Sequence, residues 1–364
     1  MKVLFIVPYP TEGPSNRYRV EQYLPYLEEK GISYCIRPFI PSTFFKIRYK
    51  KGNYAKKCLH SFLAFSKRLS DLMRAVNFDV VFIHIESFPF GPAIWEWFFA
   101  KIGKPIIYDF EDAVYLNDFK GTNKMINLLR YPKKFYQILR LSSHVIVCNK
   151  YMKDLVYPYN QDITVIPTSV DTEKFRVDIN KSPSKIPVIG WIGSHTTSYY
   201  LEPLKKILAA LAKKYDFSLK IIGGREDFSI PGVKVINEAW TLEKEVENFQ
   251  KLDIGIYPLP NDERAKAKTP FKTIQYMSVG LAAVVSKIGG NIDILQDGVN
   301  GFLAANEEQW YNKLAALIEN HQLRKTVGLN GRKTVEEKFS LTVNRQKILE
   351  VITKVYNNGK LKGR

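Results

Sequence analysis

Residues 252–301 read LDIGIYPLPNDERAKAKTPFKTIQYMSVGLAAVVSKIGGNIDILQDGVNG, and this stretch decides the fold. Residues 252–257 are apolar and β-branched and are broken by Pro258 and Pro260, the pattern of a short buried strand. Thr269-Pro270 then starts a helix, with a hydroxyl at the cap and a proline at the first helical position. Gly280 stops that helix, residues 281–286 form the next buried strand, and Gly289-Gly290 makes a turn that lets backbone approach a ligand closely.

Lys268, Lys272, Gln275 and Val279 stand at i, i+4, i+7 and i+11, on one face of the helix and its start. Phe271, Ile274 and Met277 lie mostly on the other side and are expected on the sheet. Arg264, Lys266 and Lys268 crowd the loop before the helix. Free N–H groups at a helix start beside two or three cations make a place for a phosphate or diphosphate. Gln275 offers an acceptor and two donors to hydroxyls such as those of a ribose. The competing explanation is a solvated basic face with an incidental glutamine.

Strand and helix patterns alternate on both sides of this stretch. They predict an α/β protein with two doubly wound, Rossmann-like parallel-sheet domains facing a cleft. A chain of 364 residues suits two such domains. Expected boundaries are 1–180, 181–340, and 341–364 as a returning helix with a basic tail; the polar stretch 178–187 reads as the linker. No run reaches the ~20 apolar residues that cross a membrane. The start, MKVLFIVPYP, reads as a first strand because its apolar run is too brief for a signal peptide. Cys35, Cys58 and Cys148 have no CxxC spacing, which argues against a disulfide framework or a zinc site and for a cytoplasmic chain.

The net charge of +18 calls for an anionic partner. Residues 44–74 carry nine Lys/Arg and one acid among Phe44, Phe45, Tyr49, Tyr54, Phe62 and Phe65. Residues 120–140 repeat the theme without an acid. Such segments suit an anionic membrane surface, giving a chain peripheral on the inner face of the cell membrane. RNA and an ordinary packed surface helix are the alternatives; no nucleic-acid motif is present, and nucleic acid is not expected.

Residues 16–30 read as one helix after the first strand. The loop before it holds only Gly13, so the dinucleotide fingerprint is absent. Arg17 and Arg19 at its start are candidates for an acceptor or phosphate, or are simply solubilising. Residues 79–85 are a strand with His84 near its end, a position that is more often structural. Residues 105–108 are a strand that delivers Asp109, Glu111 and Asp112 to its carboxyl end, where ligands gather in open α/β sheets. One of these carboxylates suits a general base for an acceptor hydroxyl, or a partner for positive charge on a sugar carbon. Later, the turn 193–197 leads into a helix over 199–214 and offers His195 and Thr196 as ligand contacts or caps. The strand 218–222 ends in Gly223-Gly224-Arg225, near where a nucleotide base would lie.

The run PFKTIQYMSVGLAAVVSKIGGNIDIL resembles the donor-binding region of the GT-B glycosyltransferases, family 4 (group 1). VIPTSVDTEKF (165–175), IGWIGSHTT (189–197) and IIYDFEDAVY (106–115) resemble further segments of that family, in order. The resemblance implies a nucleotide-sugar donor, UDP- or GDP-linked, and a glycan or lipid-linked acceptor in cell-surface polysaccharide synthesis. It puts Arg264, Lys268 and Lys272 at the diphosphate, Gln275 at the ribose, and Gly289, Gly290 and Asn291 on phosphate or sugar through backbone. His195, Thr196 and Arg225 join the donor side. Asp109, with Glu111, is implied at the reacting face, since the family's functional His or Asp falls at this strand end. No cofactor and no metal are expected; Asp109-Phe110-Glu111 resembles a metal-binding triplet of another glycosyltransferase fold only weakly. The chain departs from the family where two glutamates are usual: here stand Ala267 and Gln275. The 193–197 turn also lacks the usual Arg and Lys. A non-catalytic sugar-nucleotide binder and a nucleotide-sugar epimerase or hydrolase on the same frame are the alternatives.

Overall fold

The computed structural model describes residues 1–45, 54–116, 131–181 and 184–362. They form two compact units, Met1–Thr168 with Asn344–Arg364, and Ser169–Val343.

The first unit is built on six parallel strands: β1 (Lys2–Val7), β2 (Ser33–Pro38), β3 (Val80–His84), β4 (Ile106–Asp109), β5 (His144–Val147) and β6 (Ile163–Val165). Their order is β2-β1-β3-β4-β5-β6. β3, β4 and β5 are buried along their whole length. They read as continuous apolar runs because helices cover both faces of a parallel sheet. The chain grows outward from β1 to one edge and from β3 to the other, so the order reverses between β1 and β3. The helix expected over 16–30 is three pieces: Pro14–Arg19, a 3-10 turn Glu21–Tyr23, and Leu24–Glu29. Pro25 has no N–H to give a continuing helix, so a new helix starts around it. Residues 46–53 and 117–130, part of the two basic, aromatic segments, lie outside the described residues.

The second unit has six more parallel strands: β7 (Val188–Ile192), β8 (Ser218–Ile222), β9 (Lys234–Glu238), β10 (Ile254–Tyr257), β11 (Ala282–Ser286) and β12 (Phe302–Ala304). Their order, β12-β11-β10-β7-β8-β9, reverses between β7 and β10. Ile189, Ile254 and Val284 face Leu208, Leu211, Leu314 and Leu317 on one side. Tyr257, Val285, Ile274, Tyr276 and Val335 fill the other. Each fully buried Leu or Ile in these layers contributes roughly 1.5–3 kcal/mol. The helix expected over 199–214 is a 3-10 segment His195–Leu204 followed by an α-helix Lys205–Ala212. Pro203 sits at the change of winding.

The units divide at Thr168 and Ser169, ahead of the stretch 178–187 read as linker. Val170 and Phe175 are fully buried in the core of the second unit, so that part of the chain is already committed to it. At the other end, Asn344 onward belongs to the first unit. There Gln346 accepts from the Tyr26 hydroxyl at 2.7 Å, and Lys354 pairs with Asp162 at 3.0 Å.

Candidate functional site

In the second unit, β7 and β10 pair only at Ile189–Ile254 and Gly190–Gly255, then part. The Tyr276 hydroxyl fills the gap: it accepts from Ile192 N–H at 3.3 Å and donates to Ile256 O at 3.1 Å. Open α/β sheets bind ligands outside the carboxyl ends of the strands at this kind of reversal. Lys272 stands there. Its Nζ lies 5.5 Å from the Trp191 ring centre on β7 and 5.0 Å from that of Tyr257 on β10. Ring faces attract an ammonium and aim it. Lys268 lies 5.8 Å from the ring of Tyr200, in the 3-10 segment that follows β7. Lys268 and Lys272 thus both lie against rings carried by β7, β10 and the segment that follows β7, while Ile274 and Met277 are buried on the sheet. Gln275 is 6% exposed, and its side-chain amide bonds to no described residue. The buried Trp191 indole N–H also has no partner.

A cavity of about 590 Å³ opens at the carboxyl ends of β7 and β8, lined by Gly193, Ser194, His195, Gly223, Glu226 and Trp240 among others. His195, expected as a ligand contact or cap, lines this cavity. Thr196 is taken up by the cap: its hydroxyl lies 3.0 Å from that of Ser194. Arg225, expected on the donor side, pairs with Asp227 at 3.1 Å on the surface. The helix start is corrected. It runs Phe271–Ser278 with Pro270 as its cap, and the Thr269 hydroxyl is buried without a partner.

Gly289 has φ +53°, and a Cβ there would stand 2.8 Å from the carbonyls of Ala265 and Lys266. A Cβ on Gly290 would stand 2.7 Å from Pro270. Both glycines let this turn close on the basic loop. Asn291 has its side chain committed to that closure, accepting from Thr273 at 2.7 Å and donating to Ser286 O at 3.0 Å. Its own N–H bonds Ile288 O, which removes the backbone donor expected for a ligand. Arg264 lies half-buried in the last turn of the helix Glu263–Ala267. Ala267, where the family pattern has a glutamate, is fully buried.

In the first unit the carboxyl ends of β3 and β4 carry His84 and Asp109, which are paired in register. His84 Nδ1 lies 2.7 Å from Asp109 Oδ2, and His84 Nε2 lies 2.7 Å from Ser15 Oγ. Ser15 donates to Glu111 Oε1 at 2.5 Å, and Thr168 donates to Glu111 Oε2 at 3.0 Å. Arg19 pairs with Asp109 and donates to Ile166 O at 2.7 Å. Two of the expected site residues are paired and buried here. Asp109, expected at the reacting face, has no exposure, and its oxygens are held by Arg19 and His84. Arg19, expected on the acceptor or phosphate side, is 1% exposed and pairs with Asp109. Burial would raise the Asp109 pKa, but Arg19 and His84 outweigh it and hold the carboxyl below its usual range. Burial, helped by the charge of Asp112, pushes Glu111 up. Arg17 braces the preceding loop through Thr11 O at 3.1 Å and Glu12 O at 3.3 Å.

Ser15, His84, Trp191 and Tyr257 were missed as site residues. His84 and Tyr257 end their strands and Trp191 is next to last, the same strand-end position that drew attention to Asp109. Among the described residues no three His, Cys, Asp or Glu side chains converge as a metal would require. The Asp109-Phe110-Glu111 triplet diverges, its two carboxylates held by different partners.

The family model of group 1 glycosyl transferases matches residues 186–320, and that of glycosyltransferase family 4 matches residues 35–174. The chain is 24% identical over 210 residues to the capsular polysaccharide biosynthesis glycosyltransferase CapM of Staphylococcus aureus, covering 52% of each chain. It thus spans about half the length of this curated relative. A glycosyltransferase from Rickettsia africae matches with a TM-score of 0.68 and 17% identity, over 98% of this chain and 99% of that one. Anabaena HepE, solved with UDP, matches with a TM-score of 0.64 and 16% identity, over 97% of this chain and all of that one. These structures share the fold. With both family models matched across more than half its length, the chain belongs to the group 1 glycosyltransferases of GT-B fold and is family 4 like.

Proposed function

We propose that this protein transfers a sugar from a UDP- or GDP-linked donor to a glycan or lipid-linked acceptor in polysaccharide synthesis. The observation that carries this is Lys272, held over Trp191 and Tyr257 at the strand reversal of the second unit. A cation fixed there suits a diphosphate, and its charge lowers the cost of the diphosphate as a leaving group. Lys268 and Arg264 add charge, Gln275 suits ribose hydroxyls, and the cavity behind His195 suits the base. In this reading the protein's own cations supply the charge and no metal is needed. HepE was solved with UDP, and CapM is named for capsular polysaccharide synthesis; both support the direction of the proposal.

A lipid-linked acceptor is favoured by the surface of the first unit. The helix Tyr54–Ala75 exposes Phe62 at 67%, Leu63 at 52% and Met73 at 71%. The neighbouring helix Ile94–Lys101 exposes Trp97, and Phe65 packs edge-on against its Trp95 at 5.4 Å. Arg74 and Lys101 are exposed beside this apolar face. Rings and cations together suit an anionic bilayer surface.

The test is calorimetry against a panel of sugar nucleotides, with nucleotide release measured on the one that binds. A UDP- or GDP-sugar should bind and be consumed, and Lys272→Ala should weaken binding about tenfold, or ~1.4 kcal/mol. Binding without turnover would favour the non-catalytic binder. No binding at all would end the proposal.

A further inference from the structure

We propose that the cavity at the carboxyl ends of β7 and β8 selects guanine through the Glu226 carboxylate, which makes the donor GDP-linked. This rests on the transferase reading above and decides between the two donors it leaves open. Every residue involved lies within the second unit.

The protein carries 54 Lys and Arg against 36 Asp and Glu. The cavity wall reverses that balance: it holds two carboxylates, Glu226 and Glu238, and no Lys or Arg. Glu238 is neutralised by Lys220 at 2.6 Å. Arg225, next to Glu226 in the chain, is paired with Asp227 at 3.1 Å. Glu226 itself is exposed, and its carboxylate has no partner among the described residues.

The backbone that carries Glu226 is held from behind. Asn237 on β9 donates its side-chain nitrogen to Glu226 O at 3.1 Å and to Phe228 O at 3.0 Å. Those two carbonyls tie the loop after β8 to β9 and fix which way the amide lies. The Asn237 side-chain oxygen is left as a second acceptor at the wall. Gly223 has φ +72°, and a Cβ there would stand 2.4 Å from Gly193 O and 3.0 Å from Trp240 Cβ. With no side chain at 223, the ends of β7 and β8 close up and Trp240 joins the wall, where an aromatic ring suits a stacked base.

A wall of acceptors sorts the bases by their donors. Guanine carries N1–H and the N2 amino group side by side, so two parallel N–H bonds can meet the two oxygens of one carboxylate. A further N–H remains for an acceptor such as the Asn237 oxygen. Uracil carries one N–H between two carbonyl oxygens, so pairing it with Glu226 sets a carbonyl against a carboxylate. Adenine and cytosine place a bare ring nitrogen beside the amino group, with the same conflict. Hydrogen bonds to an ionised acceptor are roughly twice as strong as neutral ones, and a site built around them rejects analogues that lack the donor. A cavity of about 590 Å³ has room for a two-ring base.

The test is calorimetry on the full chain with GDP, UDP and ADP. The wild type should bind GDP about 10- to 100-fold more tightly than UDP or ADP. Glu226→Gln sets an amide NH₂ against the guanine amino group and should bring the GDP to UDP ratio to about one. Lys272→Ala should weaken GDP and UDP by the same factor, since the diphosphate is common to both. The inference fails if UDP or ADP binds the wild type as tightly as GDP, or if Glu226→Gln keeps the wild-type ratio. In that case UDP binding that still depends on Lys272 leaves the transferase reading standing. A wild type that binds none of the three overturns that reading and this inference together.

Discussion

Asp109 shows how one side chain changes meaning once its neighbours are known. Its two oxygens are occupied by Arg19 and His84, and all three are buried. Asp109→Ala would leave the Arg19 guanidinium buried and unpaired, and should cost about 3–5 kcal/mol by chemical denaturation. His144 makes a second residue-scale prediction. It is 2% exposed, its Nε2 lies 2.9 Å from Thr164 Oγ1, and its Nδ1 has no partner. Burial, with the charge of Lys354, lowers its pKa from 6.5 to about 4. The unfolded chain therefore binds the proton first as pH falls. This contribution to stability is intact above pH 6.5 and is lost as pH drops toward about 4. The slope should reach at most ~1.4 kcal/mol per pH unit, and His144→Gln should flatten it in urea titrations across that range.

At the scale of the element, the helices of the second unit are held close by small residues. Gly328, in the helix His321–Lys338, packs on the end of the helix Phe271–Ser278; a Cβ there would stand 2.0 Å from Gly280 O. Backbone cannot move aside as a side chain would, so Gly328→Ala should cost about 1–3 kcal/mol and lower the midpoint of unfolding. The same helix contact supports Met277 and, through it, the face that carries Lys272 and Gln275. Weaker nucleotide binding should accompany the loss of stability. The strand-end cluster of the first unit depends likewise on register: a one-residue slip between β3 and β4 would separate His84 from Asp109.

For the whole molecule, the net charge of +18 and the apolar face of Tyr54–Ala75 belong to one argument. Vesicles rich in anionic lipid should carry the protein upward in a flotation gradient, and neutral vesicles should carry much less. Phe62→Ser with Met73→Ser should abolish the difference at low salt, because each exposed side chain brings roughly 1.5–3 kcal/mol of burial to the bilayer surface. Flotation unaffected by both substitutions would remove the membrane from the proposal.

Strand and helix alternation and the Gly-Gly turn were legible in the residues because they follow from local periodicity and local sterics. The break in the helix at Pro25 is equally local. What residues alone left open was which charges face outward. Arg19 and Asp109 are 90 residues apart and look like surface groups until β4 and the first helix bring them together. Ser15 and His84 meet for the same reason, 69 residues apart in the chain. Local pattern determines the elements because it acts within a few residues. The site was decided by the order of parallel strands, which sets side chains from distant segments side by side and so chooses their partners.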